Sequence, residues 1–448
     1  MSSKPLPVAE VASSFRQIMG NAGILLSGKA LNAVLNLGAV ALTARTLGVE
    51  TFGVLVLIHA YVQTVGEIAR FQSWQVLLNY GTAPLTERRF AAFQKVLRFS
   101  VVLDAASALL GVAIAVAGVW LIGSGLGWST SHQGAVSLYA ISIIFMVSAT
   151  PTGVLRLLDR FDLLAIQSSI ESWVKLLGAC IAWYWHAHLE WFLLIWFIAK
   201  VIAFLHLFSS ATKVLKTAGA LPLLSGYNTG PALGSTPGLW PFVWSTNFNA
   251  TLGLAFSHVG TLMVGALLGP REAALYRVAK QFADAVAKPA KLIVPALYPE
   301  LARMALNTDH AALRKLVTQL ALTAGSVATV FLLIVSMIGG PLLALVVGPE
   351  FVAAEAVMLW LLGAAVISLW AVPLEPLLMS TGSATQAFWM RLAVTLAYLP
   401  LLYWMTSTYG LNASGVAACI GAAALLVGQV FLAWRWFRQS APASRMPA

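Results

Sequence analysis

Apolar runs of about 20 residues recur from one end of the chain to the other, separated by short polar stretches. A bilayer core of about 30 Å needs roughly that many helical residues to cross it. The pattern predicts helices over residues 20–44, 52–78, 99–122, 134–155, 163–185, 189–210, 242–268, 272–298, 315–338, 354–379, 388–406 and 412–434. These runs are continuous, whereas the strands of an outer-membrane barrel alternate over about ten residues. The expected fold class is an all-α polytopic membrane protein with about twelve transmembrane helices. The connections are short and leave no room for a sizeable soluble domain. No short apolar region followed by a small-residue cleavage site opens the chain, so the first run reads as a retained helix.

One interruption differs from the rest. TAGALPLLSGYNTGPALGSTPG (217–238) is rich in Gly, Pro and Ser and reads as a linker. Six runs precede it and six follow, which predicts an N-terminal bundle over 1–216, a linker over 217–240 on the cytoplasmic side and a C-terminal bundle over 241–448. The halves echo each other. TLGVETFGVLVL (46–57) follows the first run and LLGPREAALYRV (267–278) follows the seventh. Aligning Gly48 with Gly269 sets an offset of 221 residues (269 − 48). A six-helix repeat keeps its orientation in the membrane, so the two bundles should be pseudo-symmetric about an axis along the membrane normal. VVGPEFVAAEAV (346–357) is a third echo. The glycines of these motifs read as tight turns at helix ends.

Polar positions inside the runs are not scattered. Arg277, Lys280, Asp284, Lys288 and Lys291 are spaced +3, +4, +4, +3 and fall on one face of the eighth helix. His59, Gln63, Glu67, Arg70 and Trp74 form a stripe on the second helix, and the 221-residue offset carries them onto Lys280, Asp284, Lys288, Lys291 and Pro295. A charge at the bilayer centre costs at least about 2.5 kcal/mol, so such residues face protein or water and mark pathways. Four cations and one acid do not neutralise one another. The two stripes are expected to line an electropositive central cavity suited to phosphate or carboxylate; interhelical salt bridges without a transport role are the alternative. Lys29, Asn32 and Asn36 share a face of the first helix. Glu171 and Lys175 read as an i, i+4 ion pair. Lys200, Glu375 and Arg391 stand alone in the sequence, Lys200 as a snorkelling residue and Glu375 as a kink partner between Pro373 and Pro376.

Composition agrees with the pattern: the 448 residues are 59% hydrophobic and 10% charged, against roughly a quarter charged in soluble domains. The net charge of +11 reads as topology rather than nucleic-acid binding. With both termini cytoplasmic, the inner loops collect Arg88, Arg89, Lys95, Arg98, Arg156, Arg160, Lys213 and Lys216, while the outer loops hold only Arg45 and Arg271. Cys180 and Cys419 are too far apart for a metal or disulfide framework and read as small packing residues. The aromatics of WYWHAHLEWFLLIWF (183–197) read as an interfacial belt, and the spacing of His186 and His188 is a weak metal signature. No GxxxxGK[ST], HExxH or GxSxG segment occurs, so no catalytic, metal or cofactor site is expected. An enzyme acting on a lipid-linked sugar is the alternative that moving a substrate displaces.

ARTLGVETFGVLVLI (44–58) resembles the A-R-x-L-G-x-x-x-F/Y-G segment of oligosaccharide and lipopolysaccharide flippases, the polysaccharide transporters of the multidrug/oligosaccharidyl-lipid/polysaccharide exporter superfamily. LMVGALLGPREAALYRVAKQF (262–282) is similar to their seventh–eighth helix segment, and VVGPEFVAAEAV to their G-P-E-[FY] segment. The resemblance implies two six-helix bundles in a V around a cavity, and a bacterial inner-membrane protein with no cofactor. It would flip an undecaprenyl-pyrophosphate-type lipid-linked oligosaccharide (an O-antigen, exopolysaccharide or capsule unit) by alternating access. It would act as a monomer, with polysaccharide assembly enzymes as further partners. Lys29, Arg70, Arg277, Lys280, Lys288 and Lys291 would face the substrate, and His59, Glu67 and Asp284 would be ion-coupling candidates. Lipid II flippases usually carry two more C-terminal helices than the twelve counted here, and multidrug exporters usually have more acidic cavities. A drug/cation antiporter of the same fold and a non-transporting scaffold of a polysaccharide synthase are the competing readings.

Overall fold

In a computed structural model of the chain, the backbone is described for residues 8–123, 128, 130–220, 238–254, 258–291 and 310–440; the side chains of 8–31, 122, 130–132, 168, 249–254, 286–291, 310–312, 384 and 440 lie outside the description. Every regular element among these residues is helical. A backbone in lipid has no water to satisfy its polar groups, and helices satisfy them internally. Several hydroxyls within the helices follow the same rule. Thr43, Thr46, Thr64 and Thr395 each donate to the carbonyl four residues earlier.

The expected spans all correspond to helical segments, several of them broken. The first two lie in α1 (Val8–Ala69), which bends at Gly48, and the second continues in α2 (Ser73–Thr86). α3 (Phe90–Ile122) is the third. The fourth is split into α4 (Thr130–Ala140), α5 (Ile143–Met146) and α6 (Ala149–Leu157). α7 (Phe161–Tyr184) and α8 (Leu189–Thr217) follow. α9 (Leu239–Leu254) and α10 (Val259–Leu268) make the seventh span and α11 (Pro270–Lys291) opens the eighth. The remaining spans are α12 (His310–Val346), a 3₁₀ turn (Pro349–Ala354) leading into α13 (Glu355–Trp370) and α14 (Leu374–Ser380), α15 (Ala384–Tyr409) and α16 (Leu411–Ser440). Eight stretches among the described residues are long and apolar enough to cross a membrane, one of them Asn32–Thr86.

The surface is that of a protein in lipid. α12 exposes Val327, Val330, Leu333, Ile334 and Met337, the last at 84% of its full accessibility. Large apolar faces like this are rare on soluble monomers.

By compactness the chain divides into Gly28–Ala274 and a unit made of Met1–Ser27 with Leu275–Ala448. The first has its core around Leu77, Phe93, Leu155 and Leu207, all fully buried. Gly53 abuts Pro270 within it so tightly that a Cβ would stand 1.9 Å from the Pro270 carbonyl oxygen. The second packs α16 closely on α13 and α15: a Cβ at Gly415 would meet Trp360, one at Gly421 Tyr398, and one at Gly428 Met390. Small residues draw helices together where lipid leaves no hydrophobic force between them. The linker residues 221–237 lie outside the described residues.

The three glycines of the sequence echoes share one backbone conformation. Gly48 (φ 71°, ψ 169°), Gly269 (φ 100°, ψ 178°) and Gly348 (φ 129°, ψ 161°) occupy a region open essentially to glycine alone. Gly410 (φ 77°, ψ −161°) is a fourth that the echoes do not reveal.

Candidate functional site: intramembrane polar clusters

In the unit Gly28–Ala274 the polar residues of the second span keep to one side of α1. His59, Gln63, Glu67 and Arg70 are half-buried, while Ala60, Tyr61, Val62, Thr64 and Gly66 between them are buried. His59 meets the Tyr139 hydroxyl through Nδ1 at 2.8 Å, and the amide nitrogen of Gln63 lies 3.4 Å from Nε2. An amide nitrogen only donates, so Nε2 accepts and Nδ1–H is left to donate to Tyr139. The ring also stands edge-on to Trp196 at 4.6 Å.

Trp196 links this group to a second one. The Lys175 ammonium lies 5.3 Å from its ring centre, a cation–π arrangement. Lys175 also pairs with Glu171 at 2.7 Å, the expected i, i+4 contact. Lys200, on α8, reaches the same Glu171 oxygen at 3.0 Å. The reading of Lys200 as a lone snorkelling residue is therefore corrected, because the nearby carboxylate draws it inward and leaves it 16% exposed. One acid facing two ammoniums leaves a net positive charge. Beside them Ser172 donates to Asn32. Trp196 itself is 7% exposed and belongs to this interior, not to the aromatic belt; Trp183, Tyr184, Trp185 and Trp191 are exposed as a belt requires.

At the end of α1, Arg70 and Glu67 pair at 2.6 Å. The helix breaks over residues 70–72 and restarts at Ser73. Trp74 donates to Gln72 and carries the Arg156 guanidinium 4.1 Å over its ring.

In the other unit α11 buries Leu275, Tyr276, Val278, Ala279, Gln281 and Ala283 and leaves Arg277, Lys280 and Asp284 half-buried on one face. Asp284 is within electrostatic reach of Arg277 and of the fully buried Tyr276. The side chains of Lys29, Lys288 and Lys291 lie outside the description. Glu375 and Arg391, which stand alone in the sequence, pair at 3.0 Å across two helices, both nearly half exposed.

No family model matches the chain. It is 31% identical over 341 residues to the inner membrane protein YghQ of Escherichia coli (strain K12), an alignment covering 76% of this chain and 95% of that protein. Its fold is similar to an inward-facing multidrug resistance MATE family transporter of the MOP superfamily, with a TM-score of 0.67 and 12% identity over 94% of this chain and 96% of that one. It is equally similar to the lipid II flippase MurJ in an inward closed conformation, with a TM-score of 0.66 and 14% identity over 93% and 90%. At these identities the likeness is one of fold: the chain has the fold of the MOP superfamily.

Proposed function

The chain belongs to the family of the inner membrane protein YghQ, and on that premise we propose that it is a flippase. It moves a polyprenyl-pyrophosphate-linked oligosaccharide across the bacterial inner membrane by alternating access. The observation that carries this reading is the cationic face of α11. Arg277 and Lys280 stand half-buried on α11 with Asp284 as the acid between them and the continuing Lys288 and Lys291. A surplus of cations held in a membrane calls for an anionic cargo, and a pyrophosphate supplies one. The fold is shared by a drug exporter and a lipid II flippase; the sign of the charge on α11 favours the second kind of cargo. In this reading the α11 stripe and its counterpart on α1 both meet the cargo. Arg70 and Lys29 add cations, and His59, Glu67 and Asp284 are the groups that couple an ion. The termini are cytoplasmic, the working unit is a monomer, and enzymes of polysaccharide assembly deliver the cargo.

The test is complementation of a flippase-null strain that makes a surface polysaccharide, with membrane expression of each variant verified. Wild type is expected to restore the polymer, and Arg277→Ala, Lys280→Ala and Lys288→Ala to lose it. Variants that express and restore the polymer as well as wild type would overturn the reading.

A further inference from the structure

Asp104 lies midway along α3, within the membrane-spanning stretch Phe90–Leu121, and is 7% exposed. Its two carboxylate oxygens go to two different helix breaks. Oδ1 accepts from the Ser73 hydroxyl at 2.5 Å, where the second span restarts after residues 70–72. Oδ2 accepts the Thr150 N–H at 2.7 Å, where the fourth span restarts after Val147 and Ser148. Ser73 and Thr150 are both buried. One side chain thus ties two interrupted spans to the third at their interruptions.

Few charged or titratable groups surround it. α1, which packs on α3 through Tyr61 and Ala69, contributes Tyr61 and Glu67; α2 contributes Tyr80, α4 His132 and Tyr139, α6 Arg156 and α5 none; Arg70, at the break itself, is the one acting on Asp104 electrostatically. Burial opposes the charged form, while the two donors and Arg70 favour it. The Thr150 hydroxyl is close enough to act on the carboxyl and is itself buried without a hydrogen-bond partner. It is the acceptor that a proton arriving on the carboxyl would need.

We propose that Asp104 is a proton-binding site whose occupancy sets how firmly the second and fourth spans are tied at their breaks. Charge-assisted hydrogen bonds are roughly twice as strong as neutral ones. Protonation turns the carboxyl into a donor toward Thr150 Oγ1 or Ser73 Oγ and leaves a neutral carbonyl for the Thr150 N–H. Both ties weaken and the attraction to Arg70 is lost. By linkage, any movement that withdraws Ser73 or Thr150 changes the proton affinity of Asp104 in return. The proposal is independent of the cargo, and its test reads protonation and local opening rather than polymer export.

The full-length protein in lipid nanodiscs is titrated from pH 8 to pH 5 and followed by infrared difference spectroscopy. A protonated-carboxyl stretch is expected to appear in wild type and to be missing from Asp104→Asn, whose amide mimics the protonated acid. Amide exchange of segments 73–76 and 150–153, taken as the ratio of Asp104→Asn to wild type at each pH, should be roughly tenfold at pH 8 and near one at pH 5. A ratio that stays constant over this range, or a carboxyl band unaffected by the substitution, would overturn the proposal. If Asp104→Asn fails to fold, Ser73→Ala decides: it must move the midpoint of the wild-type carboxyl band, and an unmoved midpoint refutes the coupling.

Discussion

Neutralising Glu171 removes the acid that, among the described residues, serves two buried ammoniums. The three side chains are 24% (Glu171), 12% (Lys175) and 16% (Lys200) exposed, and the contacts are 2.7 and 3.0 Å. Taking one partner from a buried pair costs about 3–5 kcal/mol, because the charge left behind is uncompensated. Glu171→Gln leaves two such charges facing each other, so a loss of at least about 3 kcal/mol is expected. Lys200→Met acts in the opposite direction: it leaves a neutral Glu171–Lys175 pair and removes the surplus charge, so it should cost about 1 kcal/mol or less. The double variant should be more stable than the sum of the two single losses, with a coupling above the ~0.6 kcal/mol usual for polar pairs in membranes. The assay is reversible unfolding of the purified protein in mixed micelles with rising SDS fraction, run on all four members of the cycle. If Lys200→Met costs as much as Glu171→Gln, or the double variant is additive, the triad is not one acid shared by two ammoniums.

Two further outcomes follow from the packing. Gly53→Ala would drive a methyl into the Pro270 carbonyl and should abolish monodisperse protein in size-exclusion chromatography, while Gly134→Ala, with nothing within 4 Å of its Cβ, should leave the profile unchanged. Arg391→Ala breaks a pair whose members are 47% and 44% exposed, and the same unfolding assay should register less than about 1 kcal/mol.

Much of the scaffold was legible because it rests on local patterns. Continuous apolar runs gave the spans, i, i+4 spacing gave the Glu171–Lys175 pair, and the repeated glycine marked the bends at 48, 269 and 348. The +3/+4 spacing put Arg277, Lys280 and Asp284 on the half-buried face of α11. What escaped depends on the approach of distant segments. Lys200 finds Glu171 from another helix, and Glu375 finds Arg391 the same way. Asp104 was invisible as a site because it is a single acid in an apolar run, with partners 31 and 46 residues away. The break at 70–72 contains neither Gly nor Pro, so no breaker residue announced it, whereas the one at 147–148 is followed by Pro151, which has no N–H to continue the preceding helix. Gly410 sits in a segment with no echo of the motif.

At Gly48, Gly269 and Gly410 a single glycine separates one helix from the next. A joint of that length has no slack. Each residue added to a helix turns all that follows by about 100°, so one insertion after Gly269 would rotate Arg277, Lys280 and Asp284 together off their present bearing. These joints therefore fix the phase of every helix that leaves them. Length variation among related chains should be barred at these three points even where the identity of the neighbouring residues is free to drift.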